Sequence, residues 1–362
     1  METVPCRNKS RFSTVSIALP GSVLSNCQTR ELRTLLVGQI ARACTIYHVD
    51  EIIVFDDKLG KTGNIRSTHQ EFMARLLQYC ECPQYLRRQF FPMHPDLQFA
   101  GLLAPVDAPH HVREGDRSKY REGVVMNKNS SNGNSLVNCG IRNRPVEIDR
   151  NITPGIRCTV QIDPSAYGKA AQIKGIVVSP SAPREDDGTY WGYTTRMAKS
   201  INDVFAECPY ADDGGYDLKI GTSERGSKSV EDKSFGLPKF QHSLIVFGGV
   251  AGIEECVDAD ESIKLAGSSS SKLFDLWLNT CPFQASRTIR TEEAVLISLA
   301  KMNPFLMKAS HDKEIISQDQ QKSHQEDDEF SDESLSDESG EEESDEGDDN
   351  DDDNDAEEDD GK

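Results

Sequence analysis

The sequence predicts an α/β fold in which a parallel β-sheet, covered by helices, is interrupted by a small β-barrel and followed by an acidic tail. Two stretches of alternating apolar strands and amphipathic helices predict the sheet, because helices that connect successive strands place those strands parallel. Between these stretches, residues 105–184 are rich in Gly, Pro and Asn and contain short alternating runs, which predict the barrel. From His311 to Lys362 the chain has 26 Asp or Glu and three Lys, so this tail should be disordered.

The first α/β stretch contains two strands and two helices. Thr14–Pro20 is a β-branched, apolar run that ends at Pro-Gly, which predicts a buried strand closed by a turn. Apolar residues then recur at helical spacing after Thr29, a suitable N-terminal cap. Glu51–Phe55 predicts a second buried strand, and residues 69–80 predict a second helix.

The barrel interrupts this pattern. Its strands are predicted at residues 144–149, 155–163 and 173–179. The α/β pattern then resumes with a short strand and a helix that begins at about Thr195. The chain order therefore predicts one α/β domain with the barrel inserted into it.

The second α/β stretch ends with a helix that Thr291 should cap, because its hydroxyl can accept a hydrogen bond from the first turn. Glu292 and Glu293 would then lie at the positive end of the helix dipole. The preceding strands are predicted at residues 216–221, 244–249 and 273–279, and a short helix at residues 253–257.

The predicted organisation has four parts. A flexible N-terminus is followed by an α/β domain in two segments, the barrel between those segments, and the disordered tail. Their boundaries are residues 1–12, residues 13–104 with 185–308, residues 105–184, and residues 309–362.

The net charge of −21 argues against a nucleic-acid partner only as an average over the chain. The tail carries −23 and the first 310 residues carry +2, so the charge of the body does not exclude RNA. The longest apolar runs have about ten residues and the N-terminus lacks the apolar core of a secretory signal, which predicts an intracellular protein without a membrane span. In an intracellular protein the ten cysteines should be reduced. Because they contain no CxxC pair, we expect no metal site.

Removal of the tail should leave the body intact. A chain truncated before Asp312 should fold, keep its ligand site and bind RNA more tightly at low salt, because the tail's charge of −23 no longer repels phosphates. Circular dichroism and RNA filter binding at several salt concentrations check this expectation, and a truncated chain that does not fold would contradict it.

Serines in acidic context also make the tail a candidate for phosphorylation and for binding basic proteins.

Three segments begin where predicted strands end: residues 220–227 (IGTSERGS), 246–255 (VFGGVAGIEE) and 279–300 (NTCPFQASRTIRTEEAVLISLA). The carboxyl ends of parallel strands form the ligand-binding edge of a sheet, so these segments should build one site. The first segment has Arg225 where a serine-hydrolase elbow needs Gly, and the second lacks the GxGxxG spacing of dinucleotide-binding proteins. Neither of these two functions is expected.

Together the three segments resemble the SPOUT class of RNA methyltransferases, specifically the archaeal and eukaryotic group with a β-barrel inserted in the methyltransferase domain. Gln284 and residues 286–293 match the QGSRTIRTEE-like signature of that group, and Ala285 stands where its members commonly have Gly. The similarity extends over residues 15–303. It implies a knotted SPOUT methyltransferase domain with a C-terminal deep trefoil knot, an OB-like barrel, S-adenosylmethionine as the cofactor, and a homodimer.

The resemblance also implies roles for the residues of the site. Arg225 is the candidate to orient the RNA, and Glu224 is either a base or the partner of Arg225 in a surface ion pair. Arg287 and Arg290 are candidates for RNA binding or, alternatively, for ion pairs with the two glutamates that follow them. The candidates for cofactor binding are Thr222, Gly248, Gly249, Gly252, Asn279, Thr280, Cys281, Gln284, Ser286, Thr288 and Ile289.

The implied activity is methylation of ribosomal or other structured RNA in the nucleus or nucleolus, with a cytoplasmic pool as the alternative. A base nitrogen such as a pyrimidine N3 is the expected acceptor, and a ribose 2′-hydroxyl is the second candidate. The barrel would bind RNA through basic residues that include Arg113 and Arg117. The alternative function is a non-catalytic scaffold that keeps the cofactor pocket and acts in a chromosomal or ribosome-assembly complex.

Overall fold

The computed structural model describes residues 10–59, 67–142, 144–169, 172–249 and 251–309. The first nine residues of the predicted flexible N-terminus and the acidic tail from residue 310 onward lie outside these ranges. In chain order the described strands are β1 (Thr14–Pro20), β2 (Glu51–Phe55), β3 (Tyr120–Asn129), β4 (Ser135–Asn138), β5 (Val146–Ile148), β6 (Arg157–Ile162), β7 (Ile173–Val178), β8 (Thr194–Ala198), β9 (Leu218–Thr222), β10 (Lys228–Ser229), β11 (His242–Val246) and β12 (Leu276–Asn279).

Helices connect these strands and pack on both faces of the main sheet. The α-helices are α1 (Arg30–Ile46), α2 (His69–Glu81), α3 (Arg87–Phe90), α4 (Ala166–Lys169), α5 (Ala182–Asp187), α6 (Ile201–Ala206), α7 (Gly252–Asp258) and α8 (Thr291–Ala309). Short 3-10 helices lie at Gly21–Asn26, Pro95–Leu97, Ala100–Leu102, Ala211–Asp213 and Gly267–Leu273. None of the described helices is long and apolar enough to cross a membrane.

The main sheet has the order β10-β12-β9-β11-β1-β2-β8, and all neighbouring strands in it are parallel. One face is covered by α1, α2 and α8, which bury Val37, Leu76 and Val295 in the larger core. The other face is covered by α6 and α7, which bury Val204 and Ile253 in a second core. The parallel sheet with helices on both faces confirms the predicted fold class.

Of the two predicted helix caps, the one before α1 is observed and the one before α8 is not. Thr29 caps α1 as predicted, because its hydroxyl accepts a hydrogen bond from the Leu32 amide at 3.3 Å. The prediction that Thr291 caps α8 is wrong. Thr291 is the first residue of α8, and its hydroxyl donates to the Gly248 carbonyl at 2.9 Å. The preceding Arg290 amide donates to the Glu293 carboxylate at 2.9 Å, which satisfies one amide at the helix start.

The helix predicted from Thr195 is also wrong, because Thr194–Ala198 forms the edge strand β8. This strand pairs in parallel with β2, and the Arg196 guanidinium donates to the Glu51 carboxylate at 2.9 Å. The helix begins only at Ile201, after Ser200 accepts a hydrogen bond from Asp203 N.

The last of the described strands does not lie at an edge of the sheet. β12 lies between β9 and β10, although β9 and β10 are joined directly by residues 223–227. In sequence order the 223–227 loop comes well before β12, and β12 crosses beneath this loop in contact with Gly226. This crossing is the threading that the resemblance to knotted proteins implies.

The barrel is closed by five strands in the order β3-β4-β5-β7-β6. All neighbouring pairs are antiparallel except β5 and β7, which are parallel. Val137, Ile148, Val160 and Ile173 fill its interior and are almost fully buried. The closed five-stranded arrangement confirms the predicted OB-like barrel.

A buried charge network joins the barrel to the helices of the sheet. Glu81 at the end of α2 accepts two hydrogen bonds from Arg157 of β6, at 2.7 and 2.8 Å. Arg157 also donates to Glu122 of β3 at 2.6 Å, and Glu122 accepts a further hydrogen bond from the indole of Trp191 at 2.6 Å. Burial raises the pKa of Glu81, but hydrogen bonds from Arg157 and His110 outweigh it and lower the pKa to about 2.

Acid should weaken this junction in two steps. Burial, together with the nearby charge of His110, lowers the pKa of His111 to about 4, so the unfolded chain binds this proton first and the free energy of unfolding falls between the unfolded pKa of about 6.5 and 4. Below pH 4.5, the ordinary pKa of a glutamate, the unfolded chain also binds a proton at Glu81, whereas the folded chain does not bind it until the pH nears about 2. The free energy of unfolding therefore continues to fall. Urea denaturation at about pH 7 and about pH 4.5 measures the effect. His111→Gln should lose less stability than the wild type over this interval, and equal losses would contradict the assignment.

Candidate active site

A cavity of about 330 Å³ lies at the carboxyl ends of β9, β11 and β12, where the three predicted segments meet. Its volume lies within the range of small-molecule sites. The residues that line it are Thr222, Ser223, Glu224, Arg225, Phe247, Gly248, Gly249, Ala251, Gly252, Glu254, Asn279, Thr280, Cys281, Gln284, Arg287, Thr288, Ile289, Thr291, Ala294 and Ser298.

The first wall is the 223–227 loop, which is held to the end of β12. The Ser223 amide donates to the Leu278 carbonyl at 3.0 Å, and the Asn279 side-chain amide donates to the Glu224 carbonyl at 2.8 Å. These bonds fix the main chain immediately before Arg225. The side chains of Glu224 and Arg225 are exposed at the cavity.

The second wall is the glycine-rich turn between β11 and α7. Gly252 has a φ of +89°, a conformation that favours glycine. A Cβ on Gly248 would lie 2.3 Å from the carbonyl carbon of Gly252, so the turn folds back on itself only without side chains. The hydroxyl of Thr222 donates to the Val246 carbonyl at 2.9 Å and ties this turn to β9.

The third wall is the segment between β12 and α8, which is held by its own polar side chains. Asn279 Oδ1 accepts a hydrogen bond from the Cys281 amide at 2.9 Å, and the hydroxyls of Thr280 and Ser298 lie 2.7 Å apart. Gln284 Nε2 donates to the Ser286 carbonyl at 3.0 Å. The segment is therefore an ordered wall of the cavity.

Most of the predicted site residues lie together in this cavity, including both catalytic candidates. Of the predicted cofactor-binding residues, only Ser286 does not line it. The Ser286 hydroxyl donates to the Thr288 carbonyl at 2.7 Å and so supports the wall from outside. Ala285, the departure from the family signature, is exposed and does not line the cavity.

The predicted RNA-binding arginines lie in different places. Arg287 lines the cavity and Arg290 lies at the start of α8 outside the lining. Arg113 and Arg117 are exposed on the segment before the barrel and do not line the cavity. The fully buried Arg121 holds that segment by donating to the carbonyls of Arg113, at 2.7 Å, and Asp116, at 2.6 Å.

Within the described ranges, the guanidinium groups of Arg225, Arg287 and Arg290 form no ion pair and are exposed. The alternative ion pair between Glu224 and Arg225 is not formed, and neither of the later arginines forms a side-chain pair with the glutamates that follow. The carboxylates of Glu224 and Glu254 also line the cavity, but neither pairs with these arginines. The three guanidinium groups are therefore free to bind an anionic ligand such as an RNA phosphate.

The sequence analysis did not single out several lining residues. Thr291, Ala294 and Ser298 recur at a spacing of three and four, which places them on one face of α8, so helical periodicity could have identified them. Glu254 is half-buried on α7 and has no side-chain partner among the residues described. No sequence pattern distinguishes Glu254, because only the structure shows that its carboxylate lies in a cavity wall, with no partner in the described ranges. The other lining residues not predicted are Ser223, Phe247 and Ala251.

These walls fit a nucleoside that carries an amino-acid chain, such as S-adenosylmethionine. The half-buried Ile289 offers apolar surface for a base, and the tight turn at Gly248 exposes main chain to it. The Glu254 carboxylate can accept hydrogen bonds from ribose hydroxyls or from an ammonium group. No group of three or more His, Cys, Asp or Glu that could hold a metal is found among the described residues.

Comparisons with known proteins show the family to which this chain is similar. A family model described as "Putative RNA methyltransferase" matches residues 14–302. The 28S rRNA (uridine-N(3))-methyltransferase of Mus musculus is 51% identical over 309 residues, which are 83% of this chain and 78% of the relative. The protein of the same name in Homo sapiens is 50% identical over 316 residues, 83% of this chain and 81% of the relative. That of Drosophila melanogaster is 44% identical over 331 residues, 86% of this chain and 66% of the relative.

Proposed function

Because the chain belongs to this RNA methyltransferase family, of the SPOUT class, we propose that it methylates N3 of a uridine in ribosomal RNA with S-adenosylmethionine as the cofactor. The observation that carries the proposal is the cavity at the carboxyl edge of the sheet, where the family signature, the glycine turn and Arg225 meet. N3 of uridine is proposed as the acceptor atom because two of the similar proteins are named uridine-N(3)-methyltransferases.

The chemistry needs an oriented base and a route for one proton. S-adenosylmethionine, when bound, supplies a methyl group on a positively charged sulfur. Uridine N3 carries a proton that must leave, and the negative charge that it leaves behind spreads to the carbonyl oxygens O2 and O4 of the uracil. Formation of the N–CH₃ bond, with cleavage of the bond between the methyl group and sulfur, then removes this charge. We assign stabilisation of that charge to Arg225 and acceptance of the proton to the Glu224 carboxylate, because both side chains are exposed at the cavity.

Two measurements test the proposal. Isothermal titration calorimetry should show S-adenosylmethionine binding to the full chain, and loss of binding would overturn both the cavity assignment and the enzyme. Mapping of N3-methyluridine in ribosomal RNA from cells with and without the protein should show a missing mark in depleted cells. Cofactor binding with no missing mark would instead support the non-catalytic scaffold.

Glu254→Gln should weaken S-adenosylmethionine binding by about 10-fold, because a carboxylate accepts stronger hydrogen bonds than an amide oxygen. The neighbouring Glu255 is exposed on the same helix and does not line the cavity, so Glu255→Gln is the matched control. Calorimetric titration of both variants checks the prediction. Equal affinities for the two variants would show that Glu254 does not contact the cofactor.

The homodimer implied by the resemblance is also proposed for this chain. Leu32 and Leu35 on α1 are 50% and 42% exposed, and Leu296 on α8 is 46% exposed. These helices pack side by side, so their exposed leucines offer an apolar surface for a second copy. Sedimentation equilibrium should give twice the chain mass of 40.2 kDa, and a monomer would overturn the proposal.

A nuclear or nucleolar location is proposed as well, since a ribosomal RNA substrate is made and first folded in that compartment. Microscopy of the tagged full chain tests it, and exclusion from the nucleus would overturn it.

A further inference from the structure

Phe283 is the most exposed aromatic side chain of the described residues. It is 87% exposed, whereas Phe12, the other exposed aromatic residue in these ranges, is 44% exposed. Burial of a phenylalanine side chain stabilises a protein by about 1.5–3 kcal/mol relative to exposure, so a ring left in solvent forgoes this contribution. Its position therefore calls for a partner beyond the described residues.

The exposure does not come from a loose loop. The Asn279 side chain accepts a hydrogen bond from the Cys281 amide at 2.9 Å, and the Cys281 carbonyl accepts one from the Gln284 amide at 3.3 Å. Pro282, immediately before the phenylalanine, restricts the backbone further. The turn thus fixes the backbone at Phe283 and keeps its side chain in solvent, which reduces the backbone entropy lost when a ligand packs on the ring.

The location of Phe283 identifies the partner. Its neighbours Cys281 and Gln284 line the cavity, while Phe283 itself does not, so the residue lies beside the cavity and its ring is open to solvent. The exposed guanidinium groups of Arg225 and Arg287 line the same cavity and have no ion-pair partner in the described ranges. An apolar protein surface would have to cover these charges without compensation, whereas RNA offers phosphates for the charges and a flat base for the ring.

We propose that Phe283 stacks on the target uracil at the mouth of the cavity and holds its N3 edge toward the interior. This inference rests on the proposed function and adds a substrate-binding residue to it. Stacking sets the plane of the base, and the arginines then need only fix its rotation within that plane.

Substitutions separate stacking from apolar contact. Phe283→Ala and Phe283→Leu should each lower kcat/KM for RNA methylation by on the order of 10- to 100-fold, while Phe283→Tyr should stay near the wild type. S-adenosylmethionine affinity should not change, and Phe12→Ala should have no effect. Full activity of the leucine variant would overturn the proposal. So would conversion of a dimer to a monomer by Phe283→Ala in sedimentation velocity, because the ring would then belong to a subunit interface.

Photocrosslinking tests the contact without turnover. The full chain is irradiated with a short oligouridine that carries 5-iodouridine, and the crosslinked residue is identified by mass spectrometry. An adduct on Phe283 supports stacking even if no methylation is detected, in which case the proposed function alone fails. Normal methylation together with an adduct only on other residues would overturn the stacking and leave the proposed function standing.

Discussion

Arg225→Ala should lower kcat/KM for RNA methylation by on the order of 100-fold, with S-adenosylmethionine affinity within about twofold of the wild type. The Arg225 guanidinium is exposed at the cavity and forms no ion pair or side-chain hydrogen bond in the described part of the chain. Its removal therefore breaks no internal contact and leaves the 223–227 loop held by Asn279. Steady-state methylation assays and calorimetry of the same preparation measure both quantities.

The division of the loss between kcat and KM shows what Arg225 does. If the guanidinium stabilises charge on the uracil, the loss appears in kcat; if it binds only a phosphate, the loss appears in KM and the salt dependence of binding falls by about one charge. Arg88→Ala is the matched control, because Arg88 on α3 is exposed and does not line the cavity. A similar loss in the control variant would show that general charge, rather than position, is responsible.

The site could be located from the sequence because it depends on where parallel strands end. Thr222, Gly248 and Asn279 come at or just after the ends of three apolar runs, and chain order alone places these ends on one edge of a sheet. The barrel could be predicted for a similar reason, since short alternating strands follow from local pattern. Both predictions rest on patterns among residues that are close together in the sequence.

The features that sequence could not give depend on distant contacts. Thr194–Ala198 becomes a strand because it pairs with β2, and the carbonyl of Ala198 accepts a hydrogen bond from Gln70 at 2.7 Å. The hydroxyl of Thr291 bonds to Gly248 across the cavity rather than capping its own helix. The passage of β12 beneath the 223–227 loop is a property of the whole chain, so only the family resemblance indicated it.

Gly226→Ala should disrupt that passage. A Cβ at this position would lie 2.1 Å from the Asn279 nitrogen and 2.4 Å from the Leu278 carbonyl carbon. Both atoms belong to the main chain of β12, which cannot rotate away as a side chain could. We expect a loss of about 1–3 kcal/mol in the free energy of unfolding, and a decrease of about 2–4 °C in Tm for each kcal/mol.

S-adenosylmethionine binding should fall along with stability, because the loop can make room for the methyl group only by moving away from β12. That movement would break the 2.8 Å hydrogen bond from Asn279 to Glu224 and displace one wall of the cavity. Gly236→Ala is the matched control, since Gly236 lies between β10 and β11 and a Cβ there would have no atom within 4 Å. Both substitutions restrict the unfolded chain equally, so the difference between them isolates the contact with β12. Thermal denaturation and calorimetric titration of the two variants measure that difference, and equal stability with equal cofactor affinity would mean that the loop does not lie against the threaded strand.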